Sequence, residues 1–434
     1  MESTDVYEMD DAEYKKFHES YMQHNRGSDP AHVLLCIFFT VQCSLLASFC
    51  LRRVYSQRCF DEYMYIVLPM ICAHTNLAEY VNVLNAMIFV VLNYNILITT
   101  DFTKVKLRLN ERNKLKNNKL HSITFLRGLT YLITVFCILA VDFNDFPRFL
   151  AKTEKYGYSL MDTGVGLFVL MSGLVHKDLT NHTCLDIIKG NLKFIAILIF
   201  LGVARFISVK QLDYPEHVTE YGVHWNFFFT VAICKVLSTI LLYFIKTSYL
   251  LSYIVLGIHE ALLYYGLQDW VFSDAPRDSF LSANREGISS CLGYVSLYLF
   301  GAHLKNVLTN QTIKRRNLVR KLIIAALTLS VLSYITNEYR PVSRRLANTS
   351  YCVYLECVLV SMELVVYSLE IIQIDETIDF NVPLILQSIN ANGLSYFLVA
   401  NLLTGAVNLS IRTLLISSVI KTDLMLIHQI LISH

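Results

Sequence analysis

Long apolar runs, broken by short polar stretches, recur along almost the whole chain. They centre near residues 34–51, 63–77, 81–99, 126–141, 160–175, 192–208, 226–245, 249–266, 287–304, 322–335, 351–369, 394–411 and 414–432. A helix needs about 20 apolar residues to cross a bilayer, so the pattern predicts about thirteen spans. Together they would take about 60% of the chain. The predicted fold class is an all-α polytopic membrane protein. Residues 1–32 form a polar N-terminal segment with Glu2, Asp5, Glu8, Asp10 and Asp11 but no apolar core, so no cleavable signal peptide is read there. Residues 33–434 read as a single transmembrane domain.

Composition narrows the class. Of 434 residues, 54% are hydrophobic and only 17% charged, against roughly a quarter charged in soluble domains. The mean hydropathy is +0.44. Such a chain cannot cover its surface with polar groups in water, which excludes a soluble enzyme, a nucleic-acid-binding domain and a disordered scaffold. A net charge of +2 adds no general affinity for polyanions, and no nucleic-acid partner is expected. The eleven cysteines fall mostly inside apolar runs without paired zinc spacing, and read as small buried hydrophobes.

Basic residues set the expected orientation. Lys104, Lys106, Arg108, Arg112, Lys114, Lys116 and Lys119 follow the third run. Lys305, Lys314, Arg315, Arg316, Arg320 and Lys321 follow the ninth, and Arg52, Arg53 and Arg58 the first. By the positive-inside rule these loops are cytosolic. The N-terminus is then on the far side and the C-terminus cytosolic.

Three polar blocks follow even-numbered runs and so share the opposite face. The first carries Asp142, Asp145, Pro147, Arg148, Lys152, Glu154 and Asp162. The second runs from Arg205 through Lys210, Asp213, Glu216, His217, Glu220 and His224 to Asn226. The third runs from Asp274 through Arg277, Asn284, Arg285 and Glu286 to Tyr294. Three reactive loops on one face can build one site. Pro147 breaks any helix through the first block, so the chain can fold back and bring the Asp142 carboxylate to the Lys152 ammonium. A carboxylate beside a cation at membrane depth marks function more often than structure. Gly164, Gly166 and Gly173 give the fifth run a smooth face, for close helix packing or for an acyl chain. No third ligand accompanies His217 and His224, so no metal site is read.

The blocks carry long strings in a defined order. These are Leu139-Ala-Val-Asp142-Phe143 with Phe146-Pro147-Arg148, Ala151-Lys152-Thr153-Glu154, and Ser159-Leu-Met-Asp162-Thr-Gly164. Then come Glu216-His217-Val-Thr-Glu220-Tyr-Gly222-Val-His224-Trp225-Asn226 and Asn284-Arg285-Glu286-Gly287. Arg345-Leu-Ala-Asn348 and Ala400-Asn401-Leu-Leu-Thr404-Gly405 with Asn408 extend the set towards the C-terminus. In these strings the sequence resembles the GPI-anchor inositol acyltransferases, the glucosaminyl-phosphatidylinositol acyltransferase family.

The resemblance implies a multi-pass protein of the endoplasmic reticulum membrane, with a luminal N-terminus and a cytosolic C-terminus. It implies transfer of a long-chain acyl group, commonly palmitoyl, from acyl-CoA to the inositol hydroxyl of glucosaminyl-phosphatidylinositol. Acyl-CoA is a co-substrate, no bound cofactor is expected, and membrane lipids surround the site. It implies that Asp142 and Lys152 are catalytic. An alcohol attacking a thioester needs a base, here Asp142, and a cation for the developing oxyanion, here Lys152. Arg148, Asp162, Arg205, His217, His224, Asn226, Arg285 and Glu286 are expected to contact substrate. The alternative is a multispan lipid or solute transporter, which would show inverted repeats and mid-span broken helices; no internal repeat is visible.

Overall fold

The computed structural model describes residues 10–21, 23, 25–51, 58–113, 120–177, 183–211, 218–245, 248–373, 380–416 and 418–433. Among them it is helical, with no strand beyond two isolated bridges. The helices are α1 (Asp11–Tyr21), α2 (Pro30–Cys50), α3 (Arg58–Glu62), α4 (Leu68–His74), α5 (Val81–Thr99), α6 (Phe102–Asn110), α7 (His121–Ala140), α8 (Leu160–Leu174), α9 (Cys184–Gln211) and α10 (Val218–Tyr221). They continue as α11 (Phe227–Phe244), α12 (Ser248–Leu262), α13 (Gln268–Phe272), α14 (Phe280–Ala283), α15 (Arg285–Leu308), α16 (Arg315–Tyr339), α17 (Thr349–Gln373), α18 (Leu384–Ala391), α19 (Gly393–Ser410) and α20 (Ser418–Ser433). Among the described residues, each of the thirteen apolar runs is mostly helical. Nine of the helices among the described residues are long and apolar enough to cross a membrane, and α8 is a shorter apolar helix. The remaining runs fall on the π-helical segment Tyr63–Val67 with α4, on α17 and on α20.

Helix ends sit where local chemistry puts them. Asp29 accepts from Ala31 N at the start of α2, with Pro30 in the first turn. Ser159 caps α8 by accepting from Asp162 N, and Asn226 caps α11 by accepting from Phe228 N and Phe229 N. Burial separates the helices into two kinds. The membrane-length windows of α2 and α15 are 78% and 83% buried, so these helices are central. Those of α9 and α16 are 11% and 17% buried, and they present Leu, Ile and Phe outward. An outward apolar surface of that kind suits lipid. α17 is central too, and carries Glu356, Glu363 and Glu370 on one face at seven-residue spacing. Each is held from another helix: Glu356 by the Tyr253 hydroxyl, Glu363 by the Ser122 hydroxyl, and Glu370 by Ser122 N and His121.

α8 and α15 pack backbone to backbone. A Cβ on Gly173 would lie 2.2 Å from the Tyr298 carbonyl oxygen, and one on Gly301 would lie 2.3 Å from that of Leu170. The smooth face of α8 is thus mainly a packing face: Gly166 likewise lies against Tyr351 and Leu355. Gly173→Ala is expected to push the two helices apart and cost about 1–3 kcal/mol, read as a lower thermal midpoint in detergent.

The helix order gathers the polar blocks at one end and the basic loops at the other. α15 starts at Arg285 inside the third block and ends at Leu308 before the second basic loop. Its 24 residues at 1.5 Å each span about 36 Å. At the far end, Asn113 N donates to Ile313 O and Arg315 N to Glu111 O, which joins the first and second strong basic loops.

Candidate active site

The site is built from the loop after α7 and the start of α8. The chain leaves α7 at Val141, turns through Phe143 and Phe146, both fully buried, and makes a single 3-10 turn at Arg148–Leu150. Ala151 leaves that turn in extended backbone, and Lys152 follows it. Asn25 donates its amide to the carbonyls of Ala151 and Lys152, at 2.6 and 2.9 Å. Thr153 donates through both its backbone N and its hydroxyl to Asp162 Oδ2, at 2.9 and 2.7 Å. Asp162 sits in the first turn of α8, where a carboxylate is favoured by the helix dipole.

Charges close this arrangement into a circuit. Lys152 Nζ lies 2.9 Å from Glu220 Oε2, in α10. Arg344 Nη1 lies 3.6 Å from Glu220 Oε1, and Arg344 Nε lies 2.8 Å from Asp162 Oδ1. Arg344 and Asp162 are both 4% exposed, so their pairing operates out of water. Burial alone would raise the Glu220 carboxyl, but Lys152, Arg344 and Arg205 outweigh it and hold it down to about 2. Glu220 is therefore a carboxylate at any physiological pH. A group held below its free value contributes stability above that value and loses it as pH falls through the lowered one. Wild-type stability is thus expected to fall from the ordinary glutamate range down to about pH 2. Glu220→Gln should flatten that part of an acid-unfolding curve.

A cavity opens beside this circuit, with an empty volume of about 970 Å³ including its mouth. Lys152, Arg205, Glu220 and Tyr221 lie on its wall. Its body is apolar, formed by Leu126, Leu129 and Ile133 of α7, Leu167 and Phe168 of α8, and Met362 of α17. Gly164 and Asn401 also face it. The arrangement offers a charged group in front of a slot for hydrocarbon.

Asp142 stands apart from that wall. Asn408 of α19 donates to its Oδ2 at 2.7 Å, and His18 Nε2 of α1 lies 3.5 Å from its Oδ1. The fold-back at Pro147 is present, yet it does not pair Asp142 with Lys152 as expected. The two side chains leave the turn towards different neighbours, one towards α1 and α19, the other towards α10.

A family model described as GWT1 matches residues 14–434. The chain belongs to the GWT1 family. The phosphatidylinositol-glycan biosynthesis class W protein of Dictyostelium discoideum is 30% identical over 466 residues, covering 94% of this chain and 93% of its own. The GPI-anchored wall transfer protein 1 of Schizosaccharomyces pombe is 36% identical over 313 residues, 69% of this chain and 67% of its own. An uncharacterized Arabidopsis thaliana protein is 35% identical over 362 residues, 82% and 81%. The resemblance to the GPI-anchor inositol acyltransferases, drawn from the polar strings, holds.

In this GWT1-family chain the expected substrate contacts divide. Lys152 and Arg205 reach the cavity. Asp162 holds the segment that carries Lys152. Arg148 donates to the Val141 carbonyl at 3.1 Å and stacks over Tyr21. The others have neighbours within the fold. His224 N donates to Asn284 Oδ1, and its ring meets Phe206 edge-on. Asn226 caps α11 and donates to Gly202 O. Arg285 ties the carbonyls of Ser273 and Ala275. Glu286 is gripped by Arg277 and Arg345. The Asn226 cap and the buried Glu286 ion pairs satisfy polar groups inside the fold. His217 lies outside the described residues.

Sequence reasoning passed over Glu220, Arg344, Asn401 and Asn408 as site residues. Asn401 and Asn408 carried a signal, since they stand seven apart on one face of a largely apolar helix. Arg344 carried none, because it sits beside Arg345 in a loop remote in sequence from its partners.

Proposed function

We propose that this chain transfers a long-chain fatty acyl group, palmitoyl first among them, from acyl-CoA to the inositol hydroxyl of glucosaminyl-phosphatidylinositol. The observation that carries the reading is the apolar slot with Lys152 on its wall, in a chain of the GWT1 family. The slot suits an acyl chain. It touches α7 from Leu126 to Ile138. Twelve residues of rise is about 18 Å, close to one leaflet of a bilayer about 30 Å thick.

Lys152 is the cation for the charge that develops on the thioester oxygen as the alcohol adds. Glu220 fixes its position as a permanent counter-charge. Asp142 is the base that takes the inositol proton, with Asn408 orienting its carboxylate. The proton then passes to the departing CoA thiolate, so the chemistry balances without a cofactor. Residues 33–434 act as one transmembrane domain in the endoplasmic reticulum membrane. The Lys152 face is luminal, as is the N-terminus, and the C-terminus is cytosolic. The transporter alternative finds no support in the family.

The test is direct. Microsomes that lack endogenous inositol acylation receive the wild-type chain, glucosaminyl-phosphatidylinositol and palmitoyl-CoA. Acylated product by mass spectrometry is the expected result; its absence overturns the reading.

A further inference from the structure

A second, smaller cavity lies on the same seam, nearer the basic loops. The first cavity touches Val165 and Phe168 of α8 and Phe227 of α11. The second begins one turn further along both helices, at Val169 and Ser172 of α8 and at Val231 and Cys234 of α11. Phe194 of α9, Lys235 and Tyr298 complete its wall. The two cavities are therefore stacked along α8 and α11, with a lysine at each end: Lys152 at the polar-block end and Lys235 towards the basic loops.

Lys235 lies within an apolar span and, among the described residues, has no carboxylate partner. Its ammonium donates to the Tyr298 hydroxyl at 2.7 Å, and that hydroxyl lies 2.8 Å from His176 Nδ1. Lys177 and Lys305 stand within electrostatic reach and add charge of the same sign. Lys305 has a structural explanation, since it donates to the His176 carbonyl just past the end of α8, as cations do at helix C-termini. Among the described residues Lys235 reaches no such carbonyl. An ammonium held at membrane depth without a counter-ion is costly unless an anion arrives to meet it.

We propose that Lys235, backed by Lys177 and Lys305, binds the phosphate groups of an amphiphile that enters from the basic-loop face. The acyl donor is the occupant that the geometry favours. Its phosphates would rest near Lys235 while its thin linker follows the α8–α11 seam towards Lys152. From Ser172 to Leu160 is twelve residues of α8, about 18 Å, which such a linker must bridge. This assignment rests on the acyl-CoA reading above. An anionic phospholipid headgroup offers the same phosphate chemistry.

The experiment compares two acyl donors in microsomes. One is palmitoyl-CoA; the other is the palmitoyl thioester of N-acetylcysteamine, which lacks every phosphate. In Lys235→Met the KM for palmitoyl-CoA is expected to rise roughly tenfold with kcat unchanged, the loss of one charge-assisted contact. The truncated donor should be used as by wild type, and Lys235→Arg should restore the palmitoyl-CoA KM. Equal losses with both donors, or no change with either, overturn the proposal. Failure of the wild type with both donors would instead sink the acyltransferase reading. Calorimetric binding of CoA itself to purified wild type and Lys235→Met then still tests the phosphate site. A third arm titrates phosphatidylinositol into nanodiscs. If only the dependence on that lipid falls in Lys235→Met, the phosphate site stands and its occupant is the headgroup.

Discussion

Lys152→Ala is expected to lower inositol acylation by roughly 10²–10³-fold while leaving the protein folded. The magnitude follows from the role. A single preorganised cation held in place by Glu220 and aimed at a developing oxyanion needs no reorganisation as the charge forms, which a mobile water cannot match. The fold should survive because the Lys152 side chain is 44% exposed, and Glu220 keeps Arg344 as a partner when Lys152 is gone. Substrate binding is expected to change less than turnover, since the cation meets full charge only in the transition state. Asp142→Asn tests the other half of the chemistry. It keeps the shape but removes the proton acceptor, and a loss of about 10²-fold or more is expected. Wild-type rates in either variant, with equal protein by immunoblot, would remove that residue from the catalytic role.

The largest expected effect on stability belongs to Arg344. Arg344→Met removes the cation that Asp162 and Glu220 share. Asp162 is then a buried carboxylate that keeps the hydrogen bonds from Thr153 but no cation among the described residues. Breaking one side of a buried pair costs about 3–5 kcal/mol, because the remaining charge stays desolvated. The thermal midpoint in detergent should drop steeply, and activity should fall with it as the Lys152 segment loses its anchor. Adding Asp162→Asn to Arg344→Met is expected to recover part of the stability, since no uncompensated charge then remains at Asp162. A double variant as unstable as the sum of the singles would show that packing, and not charge, holds this corner.

The sequence by itself determined the elements, the class and the family. Apolar runs announce spans because the requirement is local: about 20 residues must face hydrocarbon with their backbone hydrogen bonds satisfied within the helix. The positions of the polar blocks and basic loops followed from counting those spans, and the blocks meet as that count implied. Pairing was decided only in three dimensions. Arg344 meets Asp162 and Glu220 across long stretches of chain, and Asp142 finds Asn408 of α19 and His18 of α1 in place of Lys152 ten residues away. Whether a polar residue such as Asn226 or Glu286 faces ligand or caps a neighbour is equally a matter of packing. A side chain's partner depends on helices brought together by close approaches such as Gly173 against Gly301, and nothing in the local pattern records which helix arrives.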